Sequence, residues 1–210
     1  MDINRRNFLK ASAISVSTVS LAGCTEPGEK VSELSQPMIG NEESSVEIHV
    51  FEDYSCGVCR EYVLNHFPNL KNEYIDEDLI SYYHHDWPIP VHPRWSNELA
   101  NAARAVQDTQ GVDAFFDFAK IVYENQSNMD IDVVRNAAEN AGVTDVEYVL
   151  ESGSNQLYSP VINKDFKYGQ TLGVRGTPTV FVGGDNFDSL EMLPDYRFQT
   201  IAGVIEAQLD

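Results

Sequence analysis

Lysine is scarce in this chain: six residues in 210, and with eight arginines they set 14 bases against 33 acids. The resulting formal charge of −19 repels nucleic acid and anionic membrane surfaces, and argues against both as partners recognised through charge. The acids are scattered along the chain rather than gathered in one tail, so they read as a solvating surface. Such a surface suits high salt, where screening removes the self-repulsion. Long apolar runs are missing as well. The stretch Ala11 to Gly23 spans 13 residues, where a bilayer crossing needs about 20. No internal repeat is present. Cysteine is limited to three, an odd number that leaves one thiol over in an exported protein.

The N-terminus reads as an address. Asn4-Arg5-Arg6-Asn7-Phe8-Leu9-Lys10, followed by the weakly apolar stretch, resembles a Tat-type export signal. Leu21-Ala22-Gly23-Cys24 resembles a lipobox, with cleavage before Cys24 and a lipid on its sulfur. Residues 1–23 are therefore expected to be a signal peptide and residues 24–45 a lipid-anchor cysteine with a flexible acidic linker, rich in Pro, Gly, Ser and Glu. Residues 46–210 are expected to form the single folded domain. Lipidation accounts for Cys24 and leaves Cys56 and Cys59 as one pair in an oxidising compartment.

Cys56-Gly57-Val58-Cys59 carries the chemistry. Before it, Val46 to Phe51 is rich in β-branched and aromatic residues and predicts a strand; after it, Arg60 to Leu70 predicts a helix. A thiol at a helix N-terminus faces unpaired N–H groups and the positive end of the dipole, which favour the thiolate. A second thiol one turn later can attack a mixed disulfide formed on the first. As a structural staple, so short a loop removes little unfolded-state entropy, so a redox role fits better.

The remaining pattern predicts a strand over Leu79–His85 and an extended turn at Trp87-Pro88-Ile89-Pro90. Helices are predicted over Asn97–Gln110, capped by Ser96 and stopped by Gly111, and over Asp113–Glu124, Asp132–Ala141, Asp145–Glu151 and Ser159–Leu172. A strand, Thr179–Val182, and a helix, Tyr196–Leu209, close the chain. This order predicts an α/β fold with a helical insertion, the first two strands parallel around the CxxC helix. The thiols then lie at the carboxyl end of a strand, where open sheets place their sites.

Two segments, Phe51 to Cys59 and Gly173-Val174-Arg175-Gly176-Thr177-Pro178-Thr179-Val180-Phe181-Val182, together resemble the thioredoxin superfamily and specifically its DsbA-like branch. Tyr82-Tyr83-His84-His85-Asp86-Trp87-Pro88, followed by His92-Pro93, resembles the run that opens that branch's helical insertion. The resemblance extends from about Val46 to Leu209. It implies a thioredoxin-like fold with an insertion at about 94–155 and protein thiol:disulfide oxidoreductase activity. It further implies Cys56 as nucleophile, Cys59 as resolving thiol, a redox-active disulfide between them, and a substrate-facing loop at Thr177 and a cis Pro178. A cis bond before proline costs only about 0.5–1 kcal/mol over trans, and the Thr177 backbone is then available to an extended peptide.

Two positions depart from the branch. Its buried acid, six residues before the first cysteine, is replaced by Val50. Glu52 and Asp53 are expected to point elsewhere or toward solvent, which leaves water or a neighbouring histidine to move the resolving thiol's proton. The dipeptide Gly57-Val58 is neither the Pro-His of strong oxidants nor the Gly-Pro of reductants, so it leaves the direction of electron flow open.

The expected partners are cysteine-containing exported proteins, a membrane redox partner, and the membrane itself through a lipid on Cys24, with no nucleic acid. Oxidation of substrates is the favoured direction. A reductant for apocytochrome or metallochaperone thiols and a copper(I)-binding module using two soft thiolates are the alternatives. No cofactor is expected and no metal site: zinc needs two further ligands, and His84 and His85 would face opposite sides of a strand. His49 and His66 read as core-edge or surface residues, and Phe115, Phe116, Phe118 and Tyr123 as helix packing.

Overall fold

A computed structural model describes residues 28–89 and 91–209. The expected export signal and Cys24 lie outside the described residues. Five strands form one sheet: β1 (Met38–Gly40), β2 (Val46–Glu52), β3 (Ser81–Asp86), β4 (Thr179–Gly184) and β5 (Glu191–Met192), in the order β1-β3-β2-β4-β5. The apolar run of β2 puts it at the centre, buried along nearly its whole length. It pairs parallel with β3, with Glu52 opposite Asp86, and antiparallel with β4, with Phe51 opposite Thr179. The carboxyl end of β2 therefore meets the start of β4, and the two segments that carry the family resemblance converge there.

One helical run, α1, follows β2. It passes from α-helical Gly57–Glu61 through π-helical Tyr62–His66 and α-helical Phe67–Leu70 to π-helical Lys71–Ile75. Pro68 has no N–H to give the Leu64 carbonyl, so the α-helical hydrogen-bond ladder is interrupted within this run. Then come α2 (Trp95–Gln110), α3 (Val112–Glu124), a 3-10 turn (Gln126–Asn128), α4 (Ile131–Asn140), α5 (Val146–Asn155), α6 (Ser159–Leu172) and α7 (Phe198–Leu209). Helices α1 and α7 cover one sheet face around Ile48, Val50, Tyr62, Leu70, Ile201 and Ile205. The other face packs Phe51, Trp87 and Phe181 against Phe166 of α6. Helices α2 to α5 build a second core from Leu99, Phe115, Phe118 and Val149, which also encloses both thiols.

Three expectations change. Much of the linker expected over 24–45 is docked from Gly28 onward rather than flexible. The Val31 N–H donates to the Leu157 carbonyl at 2.8 Å, the His84 N–H donates to the Pro37 carbonyl at 3.0 Å, and β1 zips antiparallel onto β3, Met38 opposite Tyr83. An unpaired β3 edge needs hydrogen-bond partners whatever their side chains are, so composition alone does not reveal this strand. Ser96 is not a cap but lies inside α2, whose first N–H groups, at Arg94 and Trp95, are accepted by the His92 ring at 3.3 and 3.1 Å. The helix expected to end at Leu70 runs on to Ile75.

Candidate active site

The loop between β2 and α1 is held closed by its own polar groups. The Asp53 carbonyl accepts the Cys56 N–H at 2.9 Å, and Asp53 Oδ1 accepts the Ser55 N–H at 2.7 Å. From the 3-10 turn, Gln126 Nε2 donates to the Tyr54 and Cys56 carbonyls at 2.8 and 3.0 Å. Cys56 is thereby fixed in extended conformation as the N-cap of α1. Both thiols are free; Cys56 keeps 8% of its surface exposed and Cys59 none. Across the site the Thr177–Pro178 peptide is cis, and the Thr177 carbonyl lies 3.4 Å from Cys56 Sγ.

The two sulfurs are driven apart electrostatically. Cys56 falls to about 5, chiefly because Cys59 donates a hydrogen bond to it. The N–H groups of Cys59 and Val58 act the same way, against burial. Cys59 is pushed well above the ordinary thiol range, first by burial, then by its bond to Cys56 and by the neighbouring Glu52 carboxyl. One thiol is therefore a thiolate at neutral pH and the other is held as a thiol.

Beneath them lies a buried polar layer. Glu52, 3% exposed, accepts a hydrogen bond from the Tyr123 hydroxyl at 3.1 Å and lies 3.5 Å from both the Tyr82 hydroxyl and His84 Nδ1. His84 Nε2 reaches Asp86 Oδ1 at 3.3 Å. Burial opposes charge on His84, yet its bonds to Asp86 and Glu52 outweigh that and raise it to about 9. Burial also pushes Asp53 up to about 6. The expectation that Glu52 and Asp53 point away or toward solvent is overturned: both are buried beside the site.

A profile of the thioredoxin family matches residues 32–197. The chain belongs to the thioredoxin family. This thioredoxin-family chain is 25% identical to the probable disulfide bond formation protein D of Bacillus cereus over 205 aligned residues, which cover 90% of this chain and 92% of the relative. Among solved structures, oxidised BdbD of Bacillus subtilis superposes with a TM-score of 0.72 at 21% identity, covering 83% of this chain and 92% of that one. DsbA of Chlamydia trachomatis does so with a TM-score of 0.67 at 22% identity, covering 85% and 94%. The fold is thus DsbA-like.

Within this thioredoxin-family frame, the structure brings Cys56, Cys59, Thr177 and Pro178 to one place. His84 lies under that site. His85 is on the other sheet face, where His49 Nδ1 and Asp165 Oδ1 flank its ring at 2.9 and 3.3 Å, and His92 caps α2. Among the described residues no cluster of His, Cys, Asp and Glu is arranged to hold a metal ion. Tyr123, read as packing, also positions Glu52. Gln126, 70 residues from Cys56 in sequence, carries no signal of its role at all.

Proposed function

We propose that this chain is an extracytoplasmic protein thiol–disulfide oxidoreductase that oxidises cysteine pairs in exported proteins. The observation that carries this reading is the pair of free thiols at the β2–α1 junction, one depressed to about 5 and the other raised. A stabilised Cys56 thiolate stabilises the reduced form and makes the Cys56–Cys59 disulfide easy to reduce, which favours the oxidase direction. A relative bearing the name disulfide bond formation protein D supports the same reading.

In the proposed cycle a substrate thiolate attacks Cys56 Sγ of the disulfide. The S–S bond breaks, Cys59 leaves with the electron pair, and it takes up a proton. A second substrate thiolate then attacks the substrate sulfur of the mixed disulfide and expels Cys56, which the hydrogen-bond donors around it keep as thiolate. Two electrons pass from substrate to enzyme. A membrane redox partner takes them on, and Tat export with lipidation at Cys24 would hold the domain near it and raise the effective concentration. Thr177 and Pro178 supply the surface along which the extended substrate lies.

The test is oxidative refolding of a reduced, unfolded cysteine-containing protein by the purified oxidised chain. Oxidation at catalytic ratios with oxidised glutathione as the electron acceptor, lost in Cys56→Ser, is the expected result. Stoichiometric retention of copper(I) with no disulfide exchange would instead establish a binding module.

A further inference from the structure

The hydrogen bonds that stabilise a Cys56 thiolate are directional. The Val58 and Cys59 N–H groups serve the sulfur while the Cys56 backbone keeps its extended turn into α1, at φ −80° and ψ 120°. The residues that follow do little to hold that turn. Gly57, the first helical residue, has the most permissive of backbones and open space where a side chain would stand, and Val58 is 43% exposed. The restraint comes from across the site. Gln126 lies half-buried in the 3-10 turn after α3. Its amide, which carries two hydrogens, donates to the Tyr54 carbonyl at 2.8 Å and to the Cys56 carbonyl at 3.0 Å. The Cys56 carbonyl also accepts the Arg60 N–H, the first bond of the helical run, at 3.0 Å. The contact is returned from α1, where Arg60 Nε donates to the Tyr123 carbonyl at 2.9 Å. A side chain from each element is thus bonded to the main chain of the other, and the clasp closes around the Cys56 peptide.

We propose that Gln126 is a positioning residue for thiol exchange: its amide holds the Cys56 carbonyl and so keeps Cys56 Sγ aligned with the Val58 and Cys59 N–H groups. The proposal rests on the thiol–disulfide reading. The bonds of Gln126 go to the main chain and to neither sulfur. A neutral amide brings no charge to the site, so its effect is one of direction. When the Cys56 peptide turns, the N–H groups no longer point at the sulfur, and bonds to a charged group contribute more than neutral ones. A less stabilised thiolate means a less stabilised reduced form, and the disulfide becomes harder to reduce. The restraint is also exchangeable. Gly57→Pro would fix the first helical φ from within α1, with Cys56 already in the extended conformation that precedes a proline. It would cost no helical hydrogen bond, because the first N–H of a helix is unpaired in any case.

The experiment follows Cys56 alkylation by iodoacetamide against pH in the reduced full chain, together with the equilibrium constant against glutathione at neutral pH. Gln126→Met keeps the length and bulk of the side chain and removes both donors. It is expected to move the half-maximal pH upward by about half a pH unit or more, a roughly threefold loss of thiolate stabilisation. The same change should make the disulfide roughly threefold harder to reduce. Gln126→Ala serves the same purpose if Gln126→Met does not fold. Gly57→Pro in the Gln126→Met background is expected to bring the half-maximal pH back toward that of the unchanged chain, and to do much less in the unchanged chain itself. An unaltered pH profile and equilibrium constant, with only a lower denaturant midpoint, would make Gln126 a merely structural contact and overturn the proposal. Equal shifts from Gly57→Pro in both backgrounds would overturn it too, because the two positions would then act independently. If the unchanged chain exchanges no disulfide with glutathione, the oxidoreductase reading itself fails, and the positioning role with it.

Discussion

Cys56 and Cys59 differ by three positions in sequence and by opposite electrostatic environments in space. Cys56 receives a hydrogen bond from its partner and backbone N–H groups, whereas Cys59 is buried against Glu52. The sign follows directly: a thiol lowered to about 5 alkylates at full speed at neutral pH and slows only as pH falls through that value. Iodoacetamide labelling of the reduced chain should show a single reactive cysteine with half-maximal rate near pH 5, while Cys59 stays unlabelled. Two thiols of ordinary, similar reactivity would contradict the assignment. The cysteines and Thr177-Pro178 were legible because their chemistry is local. Glu52 was misread, although strand geometry places it. Counting six residues back from Cys56 finds Val50, but side chains alternate along a strand, so Glu52 shares the Val50 face one step nearer the thiols. Gln126 was not legible, because its contact is made only by the closed fold.

Helix and strand types are readable in this chain wherever apolar spacing repeats, as in α6, whose bounds Ser159–Leu172 coincide with the periodic segment and end at Gly173 in the left-handed conformation. Reading fails where an element is made by backbone pairing alone. The strand β1 has no alternation and pairs through its main chain with β3. Native-state hydrogen exchange checks it: the Val31 and His84 amides, bonded to Leu157 and Pro37, should exchange far more slowly than in a free peptide. Peptide-like exchange at both would restore the flexible linker. Elements are also locked by charge. Arg104, fully buried in α2, donates to Asp86 of β3 at 2.6 Å and to Asp165 of α6 at 2.5 Å. Arg104→Met should destabilise the domain by about 3–5 kcal/mol in denaturant unfolding, because it strands two buried carboxylates. A loss under about 1 kcal/mol would mean the carboxyls find other partners.

For the whole molecule, the composition limited the partners through its acidity, but it gave no view of the buried charges that cross the sheet. His84 shows what they do to stability. Its folded value, about 9, exceeds the unfolded value near 6.5. Its contribution is therefore complete below about pH 6.5 and is lost as pH rises through 9, at up to about 1.4 kcal/mol per unit. The stability difference between the unchanged chain and His84→Gln should shrink over that window; a difference independent of pH would remove the charge from His84. The same electrostatics set the redox poise, since Gly57-Val58 brings no charged side chain to the task. The most direct test of the central claim is the equilibrium constant of the full chain against glutathione at pH 7. A reduction potential near the oxidising end, about −120 mV, is the expected result, and a value near −270 mV, typical of a reductant, would contradict it.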